Sequence, residues 1–276
     1  MSKQSKKRMS QSGFTLVELS IVLVIIGLII SSVLVGQDLV RSAELRASIT
    51  QYEGFNSAVA TFRGKYSGLP GDVAGATNFG FTGNGNNNGL LLAVATGGAT
   101  TFAAGENVYF WNHLGSTGAA LVSGTYNGAA VVSSSISSTL PAAKAGNYWG
   151  VYAGNATATA EVTSSTVEAG QNFYILGVTG GTSGQTNAAS ATPTLIPLEA
   201  QSIDSKIDDG KPSTGIVRAR GSATADAADQ APTSAASGTA TCTLYVATSY
   251  VTAPVTNTYA TTATTPLCNL RFKMPF

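Results

Sequence analysis

The sequence predicts an α+β protein in which one long N-terminal helix packs on an antiparallel β-sheet head, with a disulfide-closed region at the C-terminus. Three observations carry that expectation. An apolar run near the N-terminus passes into helical periodicity as far as Tyr66, strand-like runs occur between about Tyr148 and Val178, and the two cysteines, Cys242 and Cys268, both lie near the C-terminus.

The apolar run comes first. From Phe14 to Val35 the chain reads FTLVELSIVLVIIGLIISSVLV, about 22 residues, enough to cross the hydrocarbon core of a bilayer as a helix. Lys3, Lys6, Lys7 and Arg8 precede it with no acidic neighbour, which places the N-terminus in the cytoplasm and exports the chain beyond the span. One charge, Glu18, interrupts the run. A secretory signal with cleavage near Ser31, Ser32 or Gly36 gives that carboxylate no role, and a plain signal anchor leaves the polar QSG approach to Phe14 unexplained. A carboxylate costs about 2.5 to 3.5 kcal/mol at the bilayer centre on insertion scales, so Glu18 asks for a partner.

Gly13 followed by FTLVELSIVLVIIG resembles the N-terminal signal of type IV prepilins and type II secretion pseudopilins. The resemblance implies a leader, residues 1–13, cut after Gly13 by a prepilin peptidase that also methylates the new N-terminus at Phe14. It implies that Glu18, the fifth mature residue, pairs with the Phe14 amine of an adjacent subunit, satisfying both charges and setting the register of assembly. The implied partners are identical or related pilin subunits in a helical filament, the peptidase/methyltransferase, an inner-membrane assembly platform, and the membrane before assembly. The implied location is the inner membrane for the precursor, then a periplasmic or extracellular filament. Many pilins carry a proline late in the run that melts the helix locally; here Val35 and Gly36 stand there, and glycine weakens a helix by about 1 kcal/mol against about 3 for proline.

Beyond the span, Leu45, Ile49, Tyr52, Phe55, Val59, Phe62 and Tyr66 recur every third or fourth residue. That is one face of an amphipathic helix, with Arg41, Glu44, Arg46, Glu53, Arg63 and Lys65 between. The expected organisation is a helix over 14–66, apolar over 14–35 and amphipathic over 36–66, then a globular head over 67–276. Gly68, Pro70 and Gly71 are the expected helix stop.

The loop LPGDVAGATNFGFTGNGNNNGLL comes next. Asn84, Asn86, Asn88 and Gly89 imitate the start of a calcium-loop spacing but lack its leading aspartate, and Ala95 stands where a bidentate glutamate is needed. An Asn-Gly turn is the simpler reading, with Asp72 a further carboxylate should a cation bind. GENVYFWNHLGSTGAAL predicts a second helix with Phe110, Leu114 and Leu121 inward. His113 is the chain's one histidine and reads as a packed or surface helix residue.

YWGVYAG and NFYILGV predict antiparallel strands against the amphipathic helix face, separated by segments such as ATATAEVTSSTV. LEAQSIDSKIDDG predicts a short helix over Leu198–Asp208, stopped at Asp209-Gly210. There Asp204 and Asp208 share a face with Asp209 alongside, and two readings stand together: a solvated helix end near Lys206 and Lys211, or a calcium site of the kind the resemblance to pseudopilins implies. GSATADAADQAPTSAASGTA reads as an exposed low-complexity loop. Leu244, Val246, Leu270 and Phe272 suggest strands near the cysteines. In an exported chain Cys242 and Cys268 read as one disulfide, with two unrelated buried thiols as the alternative. A metal pair is disfavoured by the lone His113 and the lack of CxxC spacing. The arrangement also resembles the disulfide-closed end of pilins.

Composition narrows the function. Only 11% of the 276 residues are charged against 43% hydrophobic, and net charge is +1. Without the four basic residues of the leader the remainder is at −3, with no Lys/Arg cluster to bind a phosphate backbone. With these classes disfavoured, the resemblance to prepilins implies a structural pilus subunit, major or minor, without catalytic activity or an obligate cofactor. A secretion pseudopilin is the alternative. A membrane-anchored hydrolase is remote, since the chain has no GxSxG, HExxH or phosphate loop and any triad would have to form around His113.

Overall fold

The computed structural model describes residues 15–91, 93–96, 99–115, 118–129, 136–153, 170–178, 193–220, 242–244 and 258–276. Two compact units divide the chain, Met1–Ala43 and Glu44–Phe276. Helix α1, Leu16–Tyr66, contributes residues to both.

In the first unit every side chain from Leu16 to Val35 is exposed. The segment is rich in valine and isoleucine, which helices in water tolerate only modestly. In a bilayer a helix satisfies every backbone group internally, and that requirement outweighs propensity. Its serines obey the same logic: Ser20 Oγ donates to the Val17 carbonyl at 2.8 Å and Ser32 Oγ to the Leu28 carbonyl at 2.5 Å. The helix passes through Gly36 unbroken.

The second unit is built on a sheet of β3 (Tyr148–Ala153), β4 (Asn172–Val178), β5 (Val217–Arg220) and β8 (Asn269–Lys273), in the order β3-β4-β8-β5 with every pair antiparallel. A hairpin of β1 (Ala93–Thr96) and β2 (Ala99–Gly105) leads into α2 (Glu106–Leu114). Helix α3 spans Pro197–Ile207, and β6 (Thr243–Leu244) pairs with β7 (Thr258–Tyr259).

The amphipathic stretch of α1 lies on one face of the sheet, as its periodicity predicts. Tyr52 packs against Phe272 of β8 at 5.0 Å between ring centroids, and Phe55 meets Trp149 of β3 at 5.6 Å and Trp111 of α2 at 4.9 Å. Leu45, Tyr52, Phe55, Val59 and Phe62 are buried, whereas Ile49 and Tyr66 are half-buried. Two small residues, Ser48 and Ala58, complete the buried stripe.

Ser48 and Gln51 do polar work there. Ser48 Oγ accepts from the Ala145 amide at 2.8 Å, while Gln51 Oε1 accepts from the Lys144 amide at 3.0 Å and Trp149 Nε1 at 3.2 Å. Both therefore fasten the turn before β3 onto the helix. Helix α1 ends at Tyr66, where Ser67, ahead of Gly68, adopts a left-handed conformation (φ 56°) and returns its amide to the Arg63 carbonyl. Helix α2 stops at Leu114, so Leu121 lies beyond it.

Candidate assembly site

Thr15 and Glu18 form a reciprocal cap at the start of α1. The Thr15 amide and hydroxyl donate to Glu18 Oε2 at 2.8 and 2.9 Å, and the Glu18 amide donates back to Thr15 Oγ1 at 3.3 Å. The cause is local: threonine with glutamate three residues later is the capping-box spacing, which satisfies helix-start amides that would otherwise be unpaired. Both side-chain contacts fall on Oε2, and among the described residues Glu18 Oε1 accepts no protein hydrogen bond. The carboxylate is thus oriented by its own helix through Oε2. Gly13 and Phe14, the expected processing residues, lie outside the described residues.

Residues 8–34 match the family described as the prokaryotic N-terminal methylation motif. The segment is the type IV pilin and pseudopilin signal. The motif supports a pilin-like or pseudopilin subunit and implies prepilin-peptidase processing and assembly with pilin subunits. With the exposed apolar helix, the pilin signal points to membrane anchoring of the precursor. Neither a curated protein nor a solved structure matches the chain.

Away from the pilin signal, the acidic residues at the end of α3 come together: carboxylate oxygens of Asp204, Asp208 and Asp209 lie within 4.8 Å of one another. Each is already engaged. Asp204 accepts from the Tyr259 hydroxyl at 2.8 Å and the Gly210 amide at 3.3 Å, Asp208 from the Ile216 and Val217 amides, and Asp209 from the Lys211 amide at 2.9 Å and the Thr214 hydroxyl at 2.6 Å. The trio therefore organises the turn from α3 into β5. Burial, with help from the charges of Asp209 and Asp208, pushes Asp204 up to about 7, against the bonds from Tyr259 and Gly210. Burial also works against the charge of Asp209, but its bonds to Thr214 and Lys211 win and hold it below the usual range.

Cys242 and Cys268 are bonded, with Cα atoms 4.9 Å apart, and both are buried. Cys268 also pairs with Leu195 just before α3, so the bond ties the β6–β7 hairpin to the C-terminal strand and to α3. Sequence reasoning missed the anchor inside this loop, Tyr259. Its isolated position gives no periodic signal, and only the fold brings it to Asp204.

His113 is wholly buried, with Nδ1 accepting from the Gly71 amide at 2.9 Å and Nε2 facing the Thr82 carbonyl at 3.2 Å. Both ring nitrogens serve backbone groups, which leaves none to act as a general base. The Asn-rich loop takes its simpler reading. Asn86 Oδ1 accepts from the Asn88 amide and Asn88 Oδ1 from the Leu90 amide, while Asp72 binds the amides of Asn88 and Gly89 at 3.2 and 2.8 Å. Val246, the whole of ATATAEVTSSTV and the low-complexity stretch lie outside the described residues.

Proposed function

We propose that this chain is a structural, non-catalytic subunit of a type IV pilus, major or minor, assembling through lateral packing of its N-terminal helix. The observation that carries this reading is a continuous apolar helical surface from Leu16 to Val35, broken by one carboxylate that its own helix orients at the N-terminal end. In this reading the leader is removed after Gly13, and Glu18 Oε1 accepts from the Phe14 amine of the next subunit as the helices leave the inner membrane. Two desolvated opposite charges fix the axial register, since any other register leaves both unpaired. The filament then stands in the periplasm or outside the cell, with the Glu44–Phe276 unit as its surface.

Electron microscopy of sheared cell-surface material, with mass spectrometry of the subunit N-terminus, tests this. The expected result is fibres built of protein beginning with methylated Phe14. Mature protein retaining Met1 contradicts it.

The convergence of Asp204, Asp208 and Asp209 favours a second reading, a pseudopilin of a secretion system that holds calcium at this turn. The discriminating measurement is melting of the full-length protein in detergent with calcium and with chelator. A rise of several degrees with calcium, lost in Asp209→Asn, favours the pseudopilin, and identical curves favour the pilus.

A further inference from the structure

We propose that His113 is an acid-released latch that holds the segment 70–83 against α2. The geometry admits only the neutral ring. An amide N–H points at Nδ1, so that nitrogen must present a lone pair, and Nε2 then carries the proton that meets the Thr82 carbonyl. Protonation places a second N–H on Nδ1, directly opposite the Gly71 N–H, and turns an attractive contact into a repulsive one. Nor can the ring retreat: it is stacked on Phe81 at 4.9 Å and Phe62 at 6.0 Å, and no part of it reaches solvent.

The strand of chain it holds has little room to adapt. Gly71 is in the left-handed region (φ 84°), and a Cβ there would lie 2.4 Å from the Glu106 carbonyl oxygen, so the loop backbone sits directly on the first turn of α2. Phe79, in the middle of the held segment, is exposed, so release would change the surface this loop presents.

Desolvation agrees in direction, lowering His113 to about 4 despite the opposing hydrogen bonds at Thr82 and Gly83. The charged and titratable groups on the elements packed around the ring are Arg63, Lys65 and Tyr66 in the last turn of α1, Asp72 in the loop, and Glu106 and Tyr109 on α2. Two of these, Asp72 and Glu106, also accept amides from the far half of the loop, at Asn88, Gly89 and Asn86. These carboxylates hold the same loop independently of the ring, so a response of His113 has to be read at His113 itself.

The test uses the full-length protein in detergent micelles, labelled with 13C,15N-histidine and 15N-glycine. His113 is the sole histidine, so one imidazole signal reports it. The expected result is a neutral Nε2–H ring at pH 7 and 5.5, protonating with a midpoint near 4 instead of the ordinary value near 6.5. The Gly71 amide signal should move with the same midpoint. In His113→Gln, whose carboxamide can accept from Gly71 and donate to Thr82 without titrating, the Gly71 signal should stay in place to pH 3.5.

Protonation of folded protein near pH 6.5, or protonation near 4 with the Gly71 amide unmoved, overturns the proposal. So does movement of the Gly71 signal in His113→Gln at the parent's midpoint, which would assign the trigger to a group other than His113. Should His113→Gln fail to fold, the parent's two titrations decide alone.

Discussion

Asp204→Asn should flatten the pH dependence of the head's stability above pH 4. The side chain is fully buried and accepts from Tyr259, which sits on the disulfide-closed hairpin. Its carboxyl is pushed up to about 7 from 3.8. Between those values the unfolded chain has lost the proton and the folded chain keeps it. Stability from this group is therefore present below about pH 4 and is lost as pH rises through about 7. At about 1.36 kcal/mol per pH unit the whole shift corresponds to about 4 kcal/mol. Solvent around the half-buried Asp208 and the exposed Asp209 screens the site and cuts that to about 1 to 2 kcal/mol.

In a unit of this size that is about 2 to 8 °C in melting temperature between pH 4.5 and 8. Asparagine keeps the volume and can still accept from the Tyr259 hydroxyl, so it removes the titration with little change in packing. The assay is melting of the full-length protein in detergent with chelator present, taking parent minus variant at each pH. The subtraction matters because His113, with its lowered value, acts with the opposite sign and loses stability as pH falls from 6.5 toward 4. A variant whose melting temperature falls with pH as steeply as the parent's would refute this account of Asp204.

Three further outcomes are expected from the packing. Replacing both Cys242 and Cys268 by serine opens a loop of 26 residues' separation and should cost about 3 to 4 kcal/mol in the chain-entropy account, read as a lower denaturant midpoint. An unchanged midpoint would mean that the hairpin is held without the bond. Phe55→Ala removes a ring in contact with Trp111, Trp149 and Tyr174 and should cost about 3 to 5 kcal/mol by the same measurement, against under 1 for the exposed neighbour Glu53→Ala. Asp72→Ala strands the Gly89 amide and leaves the Asn88 amide only Asn86 Oδ1, and should lower stability by about 1 to 3 kcal/mol, with faster hydrogen exchange at Gly89.

The long helix was legible because two simple periodic patterns, all apolar and then one-sided, adjoin without a breaker. The face from Leu45 to Phe62 meets the sheet as its spacing implies. Ser48 was invisible to that pattern because a hydroxyl scores as polar, yet it sits on the buried stripe to meet the Ala145 amide. Sheet order was not readable either. Strand β8, last in the chain, lies between β4 and β5, and nothing local to Asn269–Lys273 says which strands will flank it. At the assembly site, Glu18 stood out by its charge, whereas Thr15 did not, although T-x-x-E is a capping spacing that sequence reasoning had the means to find. His113 was read as a packed or surface helix residue; the fold buries it, and its two backbone partners come from a loop more than thirty residues away.

Co-expression of the parent with Glu18→Leu, with quantitative mass spectrometry of sheared fibres and of the membrane fraction, tests the assembly account most directly. The account predicts that the variant is processed and accumulates in the membrane while its share of the fibre falls at least tenfold below its share of the pool. A fibre that contains the two proteins in the same ratio as the membrane would contradict it.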